Sequence, residues 1–335
     1  MAEKLVPARG APVDRRSALA LLAATVCAPR TFAQSGDPFP SRPVILWVPW
    51  PAGGSTDISM RAIADSASKF IGQPIVIDNK AGGGGTVGPA TMAAAAKPDG
   101  YTIAQLPQTI FRAPYTQKVS WDPIRDVTPI IQISGYTFGI VVNASSQFRK
   151  LEDLFAFARE RPGELSIGTN GIGTTPHIVL DELFSSRGLR YLHVPYKGTS
   201  EQMLAVASGQ LMAGANSTGF GPYVDSGKLR LLVTFGEQRT RRWPQVPTLR
   251  ELGFPIVATS PYGIGGPRGL PAQVVTTLHN AFKTALFDPL HLAELQKYDL
   301  EPAYLGPGDY ARACREAFAE EKRIVDRLGL HRNSG

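Results

Sequence analysis

A stretch near the start of the chain, residues 48–57, most constrains how this sequence can fold. The apolar run Val44–Val48 that leads into it is typical of a fully buried strand, which ends where two prolines follow because proline cannot donate a hydrogen bond to a sheet. Two glycines come next, and from Ser55 the apolar residues take the spacing of an amphipathic helix. A strand that turns through glycines into a helix leaves backbone N–H groups exposed at the helix start. The stretch therefore predicts a seat for an anion.

The same features recur at residues 165–177. There a strand at Leu165–Gly168 leads through a loop rich in glycine and threonine into a helix, with Pro176 at a position suited to the first helical turn. Around the first stretch, residues 44–104 alternate strand and helix patterns, which predicts a parallel sheet with helices on its faces. We therefore predict an α/β protein with two lobes and one such loop in each.

The lobe boundaries follow from where the pattern changes. After residue 105 the sequence becomes loop-rich, with several prolines before the next strand pattern. We predict that residues 34–105 and 229–335 form lobe 1 and that residues 106–228 form lobe 2. The strand at Leu229–Val233 then returns the chain to lobe 1, and hinges lie near residues 105 and 228.

Two helix N-termini that face one another across a cleft can capture a carboxylate without a catalytic group, since their N–H donors and dipoles favour a negative charge. Glycines would allow close approach of the backbone to the ligand, and hydroxyls would supplement the amides. The residues that this hypothesis places at the ligand are Gly53, Gly54, Ser55, Thr56, Gly171, Gly173, Thr174 and Thr175. The alternative is that both loops are ordinary helix starts that bind nothing.

Two ionisable residues beside these loops have more than one interpretation. Asp57 could serve as a general base, but a carboxylate that caps the helix or orients the loop is the favoured interpretation. His177, just inside the second helix, either donates to a ligand or makes a structural hydrogen bond.

Other functional classes are disfavoured. Gly83, Gly85 and Gly88 match a dinucleotide-binding fingerprint, but the acidic residue expected at the end of the next strand is missing from Thr102–Leu106. The five histidines lack the spacing of a zinc site, and no catalytic constellation is present. We therefore predict no metal, no cofactor and no enzymatic activity. No apolar run is long enough to span a bilayer, so no stable membrane insertion is expected.

Residues 1–33 are typical of an export signal peptide. Arg15 and Arg16 precede an apolar run, and small residues at Thr31 and Ala33 predict cleavage before Gln34. The paired arginines suit a twin-arginine signal, and general secretory export is the alternative. Because residues 1–33 carry five basic and two acidic side chains, the net charge falls from +7 to +4 on cleavage, too little to indicate nucleic acid binding.

From about Phe39 to Leu328 the chain resembles the Bug-type solute receptors of tripartite tricarboxylate transporters. The matching segments occur in the same order over nearly the whole mature chain. They are Val48–Asp57, Gly72–Lys80, Ala81–Gly85, Pro98–Thr102, His193–Gly198, Gly227–Arg230 and Val246–Thr248.

The resemblance implies a two-lobed periplasmic binding protein fold, type 2-like, with the ligand cleft between two α/β domains. It implies that the loops 51–57 and 169–177 hold one carboxylate of the ligand, which adds Pro51, Thr169 and Asn170 to the predicted site. More variable residues would read the far end of the ligand, and these include Gln108, Thr109, Arg112, Asn216, Ser217 and Thr218. Arg112 stands where the family commonly has Asn, and it either pairs with a second carboxylate of the ligand or makes a surface salt bridge.

We therefore predict a periplasmic receptor that captures a small carboxylate and delivers it to the integral membrane subunits of a transporter. The protein should act as a monomer. Two alternatives stay open, an exported enzyme that acts on a small organic acid and a ligand sensor for a membrane signalling protein. The number of carboxylates on the ligand is also open.

Overall fold

The computed structural model describes residues 38–330. Its strands are β1 (Val44–Val48), β2 (Ile75–Asn79), β3 (Thr102–Leu106), β4 (Val127–Tyr136), β5 (Phe138–Asn143), β6 (Ser166–Thr169), β7 (Leu192–Pro195), β8 (Ala213–Ser217), β9 (Leu229–Thr234), β10 (Ser260–Pro267) and β11 (Pro302–Leu305). Its α-helices are α1 (Ser55–Ile71), α2 (Val87–Ala95), α3 (Thr109–Thr116), α4 (Leu151–Glu160), α5 (Thr175–Ser185), α6 (Thr199–Ala207), α7 (Gly221–Asp225), α8 (Ala272–Leu286), α9 (Pro289–Lys297) and α10 (Pro307–Leu328). Short 3₁₀ turns occur at Gly83–Gly85 and Thr218–Phe220.

The first sheet has the strand order β11-β4-β10-β3-β1-β2. Strand β1 lies between β2 and β3 and is parallel to both, whereas β10 is antiparallel to β3 and β4. Alternate side chains of β1, those of Val44, Leu46 and Val48, are fully buried and join one apolar cluster with Met60 and Ile63 of α1. The strand was predicted to be fully buried, but this alternation shows that one face packs against α1 while Ile45 and Trp47 on the other face are only partly buried.

The second sheet has the strand order β7-β6-β8-β5-β9. Strand β6 is parallel to β7 and β8, and β5 is antiparallel to β8 and β9. Helix α5 buries Leu180 and Phe184 in the same cluster as Ile167 of β6. The predicted two-lobed α/β fold is thus confirmed, with one sheet in each lobe.

Two strands belong to the sheet of the other lobe than the predicted lobe boundaries imply. Strand β4, predicted in lobe 2, is antiparallel to β10 in the first sheet, and β9, predicted in lobe 1, is antiparallel to β5 in the second. Both pairings join segments that are distant in sequence, so no local pattern indicates them. Helix α3 lies in the segment after residue 105 that was predicted as loop, because Pro107 precedes it and Pro114 interrupts it.

The chain crosses between the sheets at positions other than residues 105 and 228. Gln105 lies inside β3, and the carbonyl of Lys228 accepts from the amide of Ala144 next to β5 in the same sheet. Thr137 alone separates β4 from β5, and residues 235–259 connect β9 to β10. These two crossings, which lie side by side where Phe235 donates to the Phe138 carbonyl, are where we expect the hinge.

Among the helices of residues 38–330, none is long and apolar enough to cross a membrane. The predicted export signal, residues 1–33, lies outside the described residues.

We expect Gly263→Ala to lower the free energy of unfolding by about 2–3 kcal/mol, because a Cβ at this position of β10 would overlap the Ile131 carbonyl oxygen of β4. The control is Gly308→Ala in α10, where nothing lies within 4 Å of the added carbon. Alanine should be neutral or stabilising there by up to about 1 kcal/mol. Urea unfolding measures both values, and equal values for the two variants would contradict this account of the β4–β10 contact.

Candidate functional site

A cavity of about 240 Å³ lies between the two lobes. It opens where the parallel strands β1, β3, β6 and β7 end, which is the usual position of a ligand site in open α/β sheets. Four helices begin at this cavity, two from each lobe: their first residues Ser55 of α1, Thr109 of α3, Thr175 of α5 and Thr199 of α6 all line it.

The starts of these four helices present polar groups to the cavity. None of the four has a side-chain cap within the part of the chain that the structure describes. The Ser55 side chain is only 4% exposed, and its Oγ makes no hydrogen bond to any described residue; the buried Oδ1 of Asn170 makes none either. Backbone N–H groups of a first helical turn together with free hydroxyls are the donors that bind an anion.

The floor of the cavity is aromatic and lies at the crossings between the sheets. Tyr136 and Phe138, on either side of Thr137, both line it. The Tyr136 hydroxyl is fixed by Thr56 Oγ1 at 2.8 Å and by Gln105 Nε2 at 3.1 Å. Trp50 Nε1 in turn donates to Gln105 Oε1 at 3.1 Å. The polar ends of these rings are therefore held in place while their apolar faces remain available to a ligand.

The structure brings nine of the sixteen predicted ligand residues to the cavity wall. They are Pro51, Gly54, Ser55, Thr56, Gln108, Thr109, Asn170, Thr174 and Thr175. The other seven lie outside the lining: Gly53, Asp57, Thr169, Gly171, Gly173, His177 and Asn216.

Asp57 lies behind the wall and orients the first loop. Its carboxylate accepts from the Gly53 amide at 2.9 Å, from Arg61 Nε at 3.0 Å and from Asn79 Nδ2 at 2.8 Å. Burial by itself would raise the pKa of Asp57, but the hydrogen bonds from Arg61, Gly53 and Asn79 outweigh it and hold the pKa below its usual 3.8. Asp57 is thus placed to fix the turn at Gly53, whose φ is +78°, and it has no contact with the cavity.

Asn216 and Thr169 support the wall on the second lobe. Asn216 Oδ1 accepts from Thr199 Oγ1 at 3.1 Å at the start of α6, and its amide donates to Gln202 of the same helix. Thr169 Oγ1 donates to the Gly171 carbonyl at 3.1 Å and contacts His193 Nε2 at 2.7 Å. Both residues are fully buried.

Gly171, Gly173 and His177 line a second cavity of about 550 Å³, which shares Thr109 and Asn170 with the first. His177 Nδ1 accepts from the Gly173 amide at 3.2 Å, so the ring makes the structural hydrogen bond that was one of its two interpretations. The ring centroids of His177 and His193 are 4.0 Å apart. Burial, and next the neighbouring His177, lower the pKa of His193 from 6.5 to about 4.

We expect His193 to make the folded protein less stable as the pH falls from 6.5 to about 4. In that range the unfolded chain binds a proton at His193 that the folded chain does not, so the free energy of unfolding decreases on acidification. His193→Gln should therefore show a shallower loss of stability over this range, measured by urea unfolding at several pH values. His279→Gln on helix α8 is the control, and identical pH profiles for wild type and His193→Gln would refute the expectation.

Arg112 makes a buried salt bridge and, from another nitrogen, a hydrogen bond that joins the lobes. Its Nε and Nη2 donate to Glu321 of α10 at 2.6 and 2.9 Å, and the two side chains are 4% and 2% exposed. The remaining Nη1 donates to the Gly173 carbonyl of the other lobe at 2.7 Å. Gln108 Nε2 also donates to Glu321 Oε1 at 3.0 Å. Of its two predicted partners, Arg112 thus has the salt bridge, although buried and not at the surface.

We expect Arg112→Ala to lower the free energy of unfolding by about 3–5 kcal/mol, because the Glu321 carboxylate would stay buried without its partner. Arg312→Ala is the control. Arg312 lies on α10, the helix of Glu321, and its pair with Asp309 is 61% and 58% exposed and should contribute less than about 1 kcal/mol. The double variant Arg112→Met/Glu321→Leu should recover most of the loss. Comparable losses for the two single variants would contradict the assignment.

The start of helix α6 is the part of the site that sequence analysis missed. Gly198, Thr199, Ser200 and Glu201 line the cavity, and Ser200 Oγ donates to the Gly53 carbonyl of the other lobe at 3.1 Å. A glycine followed by Thr and Ser, with Glu at the third helical position, is a helix-start signal that could have indicated it. Ser217 and Ser260 complete the wall, together with Pro107 and Pro176.

A cavity enclosed by two α/β lobes and lined by four helix starts defines a solute-binding protein of the two-lobed class. The chain belongs to the tripartite tricarboxylate transporter family receptors, whose family model TctC matches residues 59–330. The predicted Bug-type resemblance is thereby confirmed.

Two relatives illustrate the sequence similarity. The chain is 46% identical over 294 residues to a protein of Cupriavidus necator described as the UPF0065 protein in the gbd 5' region, covering 88% of this chain and 90% of the relative. It is 32% identical over 261 residues to protein BugT of Bordetella pertussis, covering 75% of this chain and 78% of BugT.

Three solved structures share the fold. The periplasmic binding protein BugD is 25% identical with a TM-score of 0.83, covering 88% of this chain and 100% of BugD. An R. palustris protein with adipate is 28% identical with a TM-score of 0.81, covering 88% and 99% of the two chains. MatC from Rhodopseudomonas palustris with bound malate is 25% identical with a TM-score of 0.78, covering 86% and 100%.

Proposed function

We propose that this protein is a periplasmic receptor that captures a small carboxylate in the cavity between its lobes and delivers it to a tripartite tricarboxylate-type membrane transporter. It is exported by the signal at residues 1–33 and acts as a monomer without catalysing a reaction. The adipate and malate described for two structural relatives support a carboxylate as ligand.

The observation that carries this proposal is the buried Ser55 hydroxyl at the start of α1. Ser55 is 4% exposed as a residue, and a buried hydroxyl with no protein partner among the described residues lowers stability unless a ligand supplies its hydrogen bond. Ser55 lines the cavity together with the uncapped starts of α3, α5 and α6. A carboxylate there can accept from the Ser55 hydroxyl and from first-turn N–H groups at the same time.

The lobe contacts support capture by closure. Arg112 of one lobe donates to the Gly173 carbonyl of the other, and Ser200 donates to the Gly53 carbonyl in the reverse direction. Both contacts flank the cavity, so a ligand that contacts both walls favours the arrangement in which they form. We expect the affinity to be micromolar, which corresponds to about −8 kcal/mol.

We expect Ser55→Ala to have opposite effects on stability and binding. The ligand-free protein should gain about 1 kcal/mol of unfolding free energy, because an unpaired buried hydroxyl is removed. Affinity for the bound acid should fall roughly tenfold, or about 1.4 kcal/mol, because the ligand loses one donor. Thermal shift and calorimetric titration against a panel of carboxylic acids measure the two effects.

Ser59→Ala is the matched control, since Ser59 is buried one turn further along the same helix and lies outside the cavity lining. It should bind the acid as tightly as wild type does. Uptake of that acid by the host should fall with Ser55→Ala and persist with Ser59→Ala. Unchanged affinity in Ser55→Ala, or chemical conversion of the recovered acid, would refute the proposal.

A further inference from the structure

The cavity wall has an unusual charge composition for a site that holds an acid. Seven of its side chains are apolar or aromatic: Trp50, Pro51, Ala52, Pro107, Tyr136, Phe138 and Pro176. The others are glycines, hydroxyls and amides, with one exception. Glu201 is the only charged side chain among the described residues that line the cavity, and it is negative. The wall therefore offers neutral donors for one carboxylate and no positive side chain for a second.

No basic side chain among the described residues lines the cavity. The Arg112 guanidinium directs two nitrogens to the Glu321 carboxylate and the third to the Gly173 carbonyl, and it is 3% exposed. It does not line the first cavity, and a second carboxylate would have to break this buried arrangement to reach it. Lys197 and His177 line the second cavity and not the first.

Glu201 adds a further constraint because of where it lies. It is in the first turn of α6, so its carboxylate already interacts favourably with the partial positive charge at that helix start. Of the helices that open onto the cavity, α3 and α5 have no acidic residue in their first turn, and Asp57 of α1 is directed away from the cavity towards Arg61 and Asn79. A carboxylate is thus favoured near α1, α3 and α5, and a second negative charge near α6 is disfavoured.

We infer that the ligand of this receptor is a monocarboxylate with an apolar body, which places its single carboxylate at the uncapped helix starts and its hydrocarbon part against the Trp50, Tyr136 and Phe138 rings. This inference rests on the proposed function, that the cavity captures a carboxylate. It differs from the adipate and malate of the structural relatives, which are both dicarboxylates. Glu201 is the residue that determines the preference, because it repels the second charge.

A series of six-carbon acids with the same length and different ends tests the inference. The full-length mature chain is titrated calorimetrically with hexanoate, adipate and 6-aminohexanoate at pH 7.5, and with benzoate and phthalate as a ring pair. We expect each monocarboxylate to bind at least tenfold more tightly than its dicarboxylate partner. Hexanoate should also bind at least as tightly as 6-aminohexanoate, because the body of the ligand meets an apolar wall.

The variant Glu201→Gln tests the role of the negative charge. It should raise the affinity for adipate at least threefold relative to the affinity for hexanoate. Glu152→Gln is the matched control, since Glu152 is an exposed residue in the first turn of α4 that does not line the cavity. It should leave the ratio of the two affinities unchanged.

The outcomes distinguish failure of the inferred ligand preference from failure of the proposed function. Adipate or phthalate binding as tightly as its monocarboxylate partner would overturn the inference and leave the carboxylate receptor intact. Tighter binding of 6-aminohexanoate would also overturn it, since Glu201 would then pair with a cation. A ratio that Glu201→Gln does not change would overturn the role of Glu201. Failure of every acid in both series to bind would refute the proposed function itself.

Discussion

The unpaired backbone donors at the starts of α1, α5 and α6 are the constraint on which the rest of this structure depends, whereas in α3 the Ile110 and Phe111 amides donate to the Pro107 and Gln108 carbonyls. A helix leaves its first N–H groups without intrahelical partners, and α1, α3, α5 and α6 begin without a side-chain cap. Each helix directly follows a strand of a parallel pair, so the carboxyl ends of the two sheets carry these donors to one cavity. The site thus follows from the order of strands and helices, and its few polar side chains supplement donors that the fold already provides.

The glycines of the two loops serve this arrangement in a way that differs from the prediction. Gly53 and Gly173 were expected to let the backbone approach the ligand, but neither lines the cavity. Their φ angles of +78° and +73° lie in the left-handed region, which favours glycine because it has no Cβ. They form the turns that aim α1 and α5, while Gly54, with φ −79°, lies at the wall itself. The glycine pattern of the sequence predicted the two loops. The conformational reason for each glycine became clear only from the backbone angles of the structure.

Local patterns predicted the parts of the site that local physics determines. The loops at 48–57 and 165–177 follow from strand and helix periodicity with glycines between them. This pattern placed five of the nine predicted residues that reach the cavity wall, and the family resemblance placed the other four, Pro51, Gln108, Thr109 and Asn170. What local patterns could not show depends on distant pairing. Strands β4 and β9 join sheets through antiparallel partners that periodicity does not specify, and Arg112 meets Glu321 at a separation of 209 residues. Because of that contact Arg112 is a structural residue and not a partner for the ligand, since each of its three nitrogens donates to a protein group.

The position of Arg112 connects the charge of the cavity with closure of the lobes. A guanidinium that faced the cavity could bind an anion strongly in either arrangement of the lobes, since its charge acts on one wall alone. In this protein the guanidinium is neutralised by Glu321 and donates from its third nitrogen, Nη1, to the opposite lobe. The proposed ligand then takes its hydrogen bonds from neutral donors on both walls of the cavity. Because a ligand shifts a conformational equilibrium only by its differential affinity for the two states, donors supplied by both lobes would couple ligand binding to the proposed closure, whereas a positive side chain on one wall alone would not.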